Sequence, residues 1–154
     1  MDVAQVKFCS KIDLSNVYKQ VHIELEDIYK TTFVIVYGTC KSNVLQQGDC
    51  NGPATFQRLM TAIFQDKIGI FVHVYLDDLF VFTVSIEDHE KDLEYVFKKL
   101  QEFHLFLEKV KCDLYSKHMD CLGHLINDQG LYTAMDKMAC VCEWHTPRNL
   151  KDIQ

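Results

Sequence analysis

Two adjacent carboxylates, Asp77 and Asp78, lie between the apolar runs Val72-His73-Val74 and Leu79-Phe80-Val81-Phe82. Like charges at the tip of a buried hairpin repel each other and lose hydration, a cost that a nearby cation offsets. A hard divalent ion such as Mg²⁺ takes oxygen ligands and keeps substrate phosphates and waters in its shell, which suits transfer of a nucleotidyl group. The pair alone also fits an ordinary exposed turn. Asp13, in Lys11-Ile12-Asp13-Leu14, is another carboxylate in an apolar strand, and antiparallel pairing could bring it beside the hairpin tip. Three such acids could hold two metal ions, one activating an attacking hydroxyl and one stabilising a leaving pyrophosphate.

Other candidate groups have duller readings. Cys140-x-Cys142 with His145 hints at a metal, but no second ligand pair follows at zinc-site spacing, so a zinc site is not expected. His104, His118 and His124 read as structural or solvent-facing. Seven cysteines, an odd number set mostly in apolar segments, suit reduced thiols in a cytoplasmic or nuclear protein better than a disulfide framework. No apolar run is long enough to span a bilayer, and Met1-Asp2-Val3-Ala4 lacks the pattern of a secretion signal, so an intracellular protein with no membrane partner is expected. The formal charge of -6 argues against indiscriminate nucleic-acid binding, although Lys109, Lys111 and Lys117 cluster.

The elements that must position these groups follow from periodicity. With 154 residues, 48% of them apolar, and no linker or repeat, one α+β domain is expected. Strands are read at Phe8 to Leu14, Tyr18 to Leu25 and Thr32 to Tyr37, forming an antiparallel sheet together. Pro53 opens a helix to about Gln65, with Phe56, Leu59, Met60, Ile63 and Phe64 on one face. Phe71 to Tyr75 and Leu79 to Phe82 form a tight hairpin with the acids at its tip. Ser85 and Asp88 make an acidic capping box for a helix to about Phe103, whose stripe of Leu93, Val96, Phe97, Leu100 and Phe103 faces the sheet. Strand-like pieces follow at Lys111 to Tyr115 and Met119 to Ile126, then a turn at Asp128-Gln129-Gly130 and a short helix around Met135 to Glu143.

Phe8-Cys9-Ser10-Lys11-Ile12-Asp13-Leu14-Ser15-Asn16-Val17-Tyr18, Asn51-Gly52-Pro53-Ala54-Thr55-Phe56-Gln57-Arg58-Leu59-Met60 and Tyr75-Leu76-Asp77-Asp78 resemble, in order and spacing, successive motifs of the reverse transcriptases of gypsy-type LTR retrotransposons and retroviruses. The resemblance continues through Leu122-Gly123-His124 and Trp144-His145-Thr146-Pro147-Arg148-Asn149. It implies a right-hand polymerase palm, an antiparallel sheet backed by helices, and RNA-directed DNA polymerisation with two Mg²⁺ ions, Mn²⁺ being a substitute. Asp13, Asp77 and Asp78 match the family's metal-binding carboxylates. Tyr18 matches the aromatic under the incoming sugar that disfavours a ribose 2′-hydroxyl, and Gln47 and Tyr75 fall at nucleotide-binding positions. Lys111 is similar in position to a lysine that protonates the leaving pyrophosphate, and Cys121, Leu122, Gly123 and His124 to the hairpin that grips the primer. Without the family, Tyr18 reads as a strand core aromatic, Gln47 as a loop residue and Lys111 as a solvated lysine.

The implied partners are an RNA or DNA template-primer, deoxynucleotide triphosphates and the rest of a Pol polyprotein. The chain opens near the first catalytic strand and stops at Gln154, so a palm with fingers and thumb largely missing is expected over 1–154, with no RNase H, integrase or protease domain. Gln46 stands where the family usually has proline, Asp49-Cys50 replaces an apolar or neutral pair, and His104 replaces a helix-ending glycine. An inward-pointing Asp49 would repel a triphosphate. The alternative expectation is a non-catalytic relic or a domesticated interaction domain.

Overall fold

The computed structural model describes residues 6–127, 130–133, 135–144, 146 and 148. Its centre is a four-stranded antiparallel sheet of β1 (Phe8–Asp13), β4 (Val72–Tyr75), β5 (Asp78–Thr83) and β6 (Asp113–Ser116), in the order β4-β5-β1-β6. The expected first strand and the acidic hairpin are therefore present, and they are direct neighbours. On one face lie α1 (Gly52–Phe64) and α2 (Ile86–Glu102), whose Phe56, Met60, Ile63, Phe64, Leu93, Val96 and Leu100 join Ile12, Leu79 and Val81 in the main core.

Both helices start as the sequence predicts. Pro53 occupies the first turn of α1, where no amide hydrogen is needed. The Ser85 hydroxyl accepts a hydrogen bond from the Asp88 amide at 3.2 Å, capping α2. Within α2, Leu93, Val96 and Leu100 are buried, whereas Phe103 at its end is 45% exposed and lies outside the stripe.

α2 ends in a paired turn in which His104 donates to the Gln101 carbonyl at 3.2 Å and Leu105 to the Leu100 carbonyl at 2.8 Å. His104 takes φ 54, the left-handed conformation that glycine adopts without a steric cost. His104→Gly is accordingly expected to stabilise the chain by about 1 kcal/mol in urea unfolding.

The segments between Tyr18 and Tyr37 differ from expectation. They do not form a sheet with β1. Asn16 in the left-handed region (φ 46) opens a 3₁₀ turn, Val17–Gln20, and a second 3₁₀ stretch covers Leu25–Thr31. The alternation Val21, Ile23, Leu25 meets only a single bridge, His22 with Val44, and Leu25 is 85% exposed. Strand propensity without a partner edge does not make a strand. The run Thr32 to Tyr37 forms a separate small hairpin of β2 (Phe33–Ile35) with β3 (Gly38–Cys40).

The stretch Lys111 to Tyr115 splits into a 3₁₀ turn, Lys109–Lys111, and β6. Met119 to Ile126 is two strands, β7 (Met119–Cys121) and β8 (His124–Asn127), extended by β9 (Gly130–Thr133) into a three-stranded meander. Leu122 (φ 56) and Gly123 (φ 77) both occupy the left-handed region, the signature of the tightest hairpin turn, and Gly123 also donates to Asp120 at 3.0 Å. Met119 and Ile126 of this meander join Val6, Cys9, Phe80 and Phe82 in a second core on the other face of the main sheet. Alternation along β5 thus feeds both cores. α3 (Met135–Cys142) is the last described element. The expected turn at Asp128 and Gln129 lies outside the described residues, as do His145, Pro147 and Asn149.

A polar cluster is buried between α2 and the sheet. Ser10 and His89 are fully buried, with the Ser10 oxygen 2.7 Å from His89 Nε2 and the Thr83 oxygen 2.8 Å from Nδ1. Tyr115 donates its amide to the Ser10 oxygen and Thr83 donates its hydroxyl to the Ser85 carbonyl, so the chain of bonds closes with a neutral His89 protonated at Nδ1. Burial holds His89 below the usual imidazole range. All seven cysteines are free, and burial first, then Asp113 and Cys121, pushes the Cys9 thiol up to about 11.

Candidate active site

Strand register brings the acids to one end of the sheet. Asp13 at the end of β1 stands directly opposite Asp78 at the start of β5, and Tyr75 faces Asp78 across the β4–β5 hairpin. Beyond β1, Leu14 donates to the Asp77 carbonyl at 3.0 Å and Ser15 to the Phe106 carbonyl at 2.9 Å, while Glu108 donates to the Asp13 carbonyl at 2.8 Å. Asp13 is therefore held between the hairpin tip and the segment that carries Lys111.

A cleft of about 240 Å³ is lined by Asp13, Leu14, Asn16, Val17, Tyr18, Lys19, Gln47, Asp77 and Lys111. Five residues singled out from the sequence, distant along the chain, share this wall. The Tyr18 ring lies against Gly52 and meets Phe56 edge-on at 6.3 Å, so α1 braces it from below. Asp78 and Tyr75 are not on this wall. Asp78 opens instead onto a second cleft of about 440 Å³, with Lys11, Asp113, Met119, Asp120, Leu122 and Gly123. Tyr75 is 51% exposed and lines neither. Of the four hairpin candidates, Leu122 and Gly123 face the second cleft, and Cys121 and His124 pair behind them as the last rung of β7–β8.

Electrostatics fit a cation-requiring site. Burial first, and then Asp78 and Asp77, push the Asp13 carboxyl above its ordinary range, against the opposing pull of Lys111 and Lys11. Lys111 Nζ lies 3.8 Å from Asp13 and Lys11 Nζ lies 3.0 Å from Asp78. The donors are all carboxylate oxygens, the ligand class that Mg²⁺ and Mn²⁺ prefer. Among the described residues no three metal-ligating side chains converge into one coordination group, so the expected three-acid cluster is not assembled here, and Asp13 and Asp78 each face a lysine. The donor chemistry fits the ion, with the lysines standing in as counter-charges.

Sequence reasoning missed Gln57. From α1 its Oε1 accepts the Leu76 amide at 2.8 Å and its Nε2 donates to the Val74 carbonyl at 3.3 Å. Leu76, between Tyr75 and Asp77, takes φ 52, a strained value for a branched side chain, and Gln57 pins that turn. No spacing rule exposes a contact between a helix glutamine and a hairpin. The one available signal was a polar residue beside Phe56 on an otherwise apolar flank.

Asp49 does not take the inward position in which it would repel a triphosphate. Its carboxylate accepts the Gln46 amide at 2.8 Å, closing the loop that presents Gln47, and it does not line the cleft. Gln46 and Asp49 together form the turn that a proline would otherwise stiffen.

The family model for reverse transcriptase (RNA-dependent DNA polymerase) matches residues 1–126. The chain belongs to that family. This reverse transcriptase chain is 30% identical over 152 residues to the retrovirus-related Pol polyprotein from transposon 297 of Drosophila melanogaster, covering 99% of itself and 14% of that relative. It is 25% identical over 145 residues to the transposon Tf2-3 polyprotein of Schizosaccharomyces pombe, with coverage of 94% and 11%. Among solved structures it superposes on the foamy viral protease-reverse transcriptase in complex with RNA/DNA hybrid at a TM-score of 0.82, with 28% identity and coverage of 99% and 21%. For the form in complex with double-stranded DNA named dRH the TM-score is 0.87, at 28% identity and coverage of 99% and 27%. The reverse transcriptase chain thus spans a small part of each relative's length. No helix among the described residues is long and apolar enough to cross a membrane.

Proposed function

We propose that this chain is the palm of an RNA-directed DNA polymerase, one segment of a gypsy-type Pol polyprotein, and that the cleft joining Asp13, Tyr18, Gln47, Asp77 and Lys111 receives a deoxynucleotide triphosphate. That shared wall is the observation that carries the reading. Asp13 and Asp77 would hold two divalent ions, with Asp78 as a third donor. When bound, such ions lower the charge barrier to attack of a primer 3′-hydroxyl on the α-phosphate.

The other residues position the reactants. Tyr18, braced by α1, presents a ring edge where the sugar sits, and its bulk disfavours a 2′-hydroxyl. Gln47 orients the nucleotide from the loop, and Lys111, beside Asp13, donates a proton to the departing pyrophosphate. The second cleft, roofed by Leu122 and Gly123, takes the primer end, with Cys121 and His124 fixing the turn. Tyr75 contributes only from the hairpin flank. Template-primer is the partner class, in keeping with the RNA/DNA hybrid and double-stranded DNA bound by the foamy viral relatives.

Primer extension on an RNA template with deoxynucleotides and Mg²⁺ or Mn²⁺, beside an Asp77→Asn/Asp78→Asn chain, tests the reading. Extension lost in the double variant supports it, and a folded chain that never extends points to the relic or interaction domain. Tyr18→Val is expected to raise ribonucleotide use relative to deoxynucleotide by roughly tenfold or more in the same assay. An unchanged preference would remove Tyr18 from the sugar site.

A further inference from the structure

Lys11 sits in the middle of the acids without belonging to the chemistry described so far. It shares a face of β1 with Asp13, stands across from Phe80 on one side and Asp113 on the other, and is the one cation lining the second cleft among the described residues. Its ammonium lies 3.0 Å from the Asp78 carboxylate and 5.8 Å from the centre of the Phe80 ring. Of the ion pairs among the described residues, this one alone has both side chains under a third exposed, at 30% and 20%. Lys111, by contrast, is 63% exposed and reaches Asp13 only at 3.8 Å.

We propose that Lys11 is a positioning residue that holds Asp78 toward the primer cleft in the metal-free chain, and that ion binding must displace it. The inference rests on the metal-dependent reading above. Asp78 stands opposite Asp13, so its nearest alternative to Lys11 is an ion shared with Asp13 and Asp77. A shielded ion pair loses little to solvent, so Lys11 competes with an incoming cation for the same carboxylate. It keeps the acids compatible with folding before metal arrives, and it weakens the metal site in doing so.

Thermal melting of the full chain across a Mg²⁺ titration, at fixed ionic strength, separates the possibilities. Lys11→Met keeps the apolar stem over Phe80 and removes the charge. It is expected to melt below wild type without Mg²⁺ and to reach half of its Mg²⁺-dependent stabilisation at a roughly tenfold lower concentration, equivalent to about 1.4 kcal/mol. Lys11→Arg, whose planar fork grips a carboxylate more firmly, is expected to need more Mg²⁺ than wild type, and it decides the question if Lys11→Met fails to fold.

A Mg²⁺ midpoint in Lys11→Met equal to or above that of wild type overturns the role of Lys11. If the wild-type response is meanwhile abolished by Asp77→Asn, the metal site itself stands. A Mg²⁺ response absent from every variant overturns the metal reading and the role of Lys11 with it. A response that survives Asp77→Asn in the Lys11→Met background places the ion elsewhere and also overturns it.

Discussion

Asp13→Asn is expected to lower primer extension by about 10³-fold or more, while raising the melting temperature of the metal-free chain. The first effect follows from the proposed role of Asp13 as an ion ligand, because ions that stabilise developing phosphate charge contribute several kcal/mol to the barrier. The second follows from the cost of ionising Asp13 where burial, Asp78 and Asp77 all oppose the charge. A carboxyl pushed above its ordinary range in the folded chain favours the protonated form. Its contribution to stability is full below the ordinary carboxylate pKa and is lost as pH rises through the raised value. Asn mimics the neutral form, so its stabilising effect appears at neutral pH and vanishes in acid. Melting curves at both pH values, without metal, check the sign. A destabilised Asn variant at neutral pH would mean that the Lys111 ion pair outweighs the repulsion.

Gln57→Leu is expected to cut extension by about 100-fold, the scale on which a small misplacement of reacting groups acts. It leaves the Leu76 amide and the Val74 carbonyl without their side-chain partners, costing about 1–3 kcal/mol of stability in urea unfolding. The acids themselves are untouched, so the loss reports the position of the turn alone. Gln57→Glu retains an acceptor for Leu76 but has no amide to donate to Val74, and an intermediate rate is expected. Full activity in Gln57→Leu, in protein shown to be folded, would mean that the strained turn holds its shape unaided.

The parts of the palm legible in the sequence were those with strong local signals. The apolar runs around Asp77 and Asp78, the proline that opens α1 and the serine cap of α2 each state their element without help from distant residues. The acids were legible because a carboxylate in an apolar strand loses hydration that a cation or hydrogen bonds must replace. What lay hidden depended on partners far along the chain. Gln20 bonds the Phe106 amide and carbonyl, which ties the turn after β1 to the segment after α2. The alternation from Val21 to Leu25 therefore reads as a strand but is held as 3₁₀ and irregular chain. The β7–β8 turn was legible only through the family resemblance of Cys121 to His124, because periodicity gives no sign that Leu122 takes a left-handed backbone. The division of Asp77 and Asp78 between two clefts was likewise illegible, because adjacency in sequence does not tell that Asp78 turns to Lys11 on the face of β1.

The arrangement of β5 has a consequence for how the molecule comes apart. Leu79 and Val81 anchor it in the large core with both helices, while Phe80 and Phe82 anchor it in a core shared with the meander that has six buried residues among the described ones. The meander packs on that smaller cluster, so it is expected to open as a unit at lower free energy than the sheet beneath it. In native-state hydrogen exchange the amides of β7 and β8 should trade their protons ahead of those of β1 and β5. Leu122 and Gly123, which line the second cleft, would then be able to lift and reseat while Asp13 and Asp78 keep their places in the sheet, and under the proposed function a lengthening primer could slip forward beneath them.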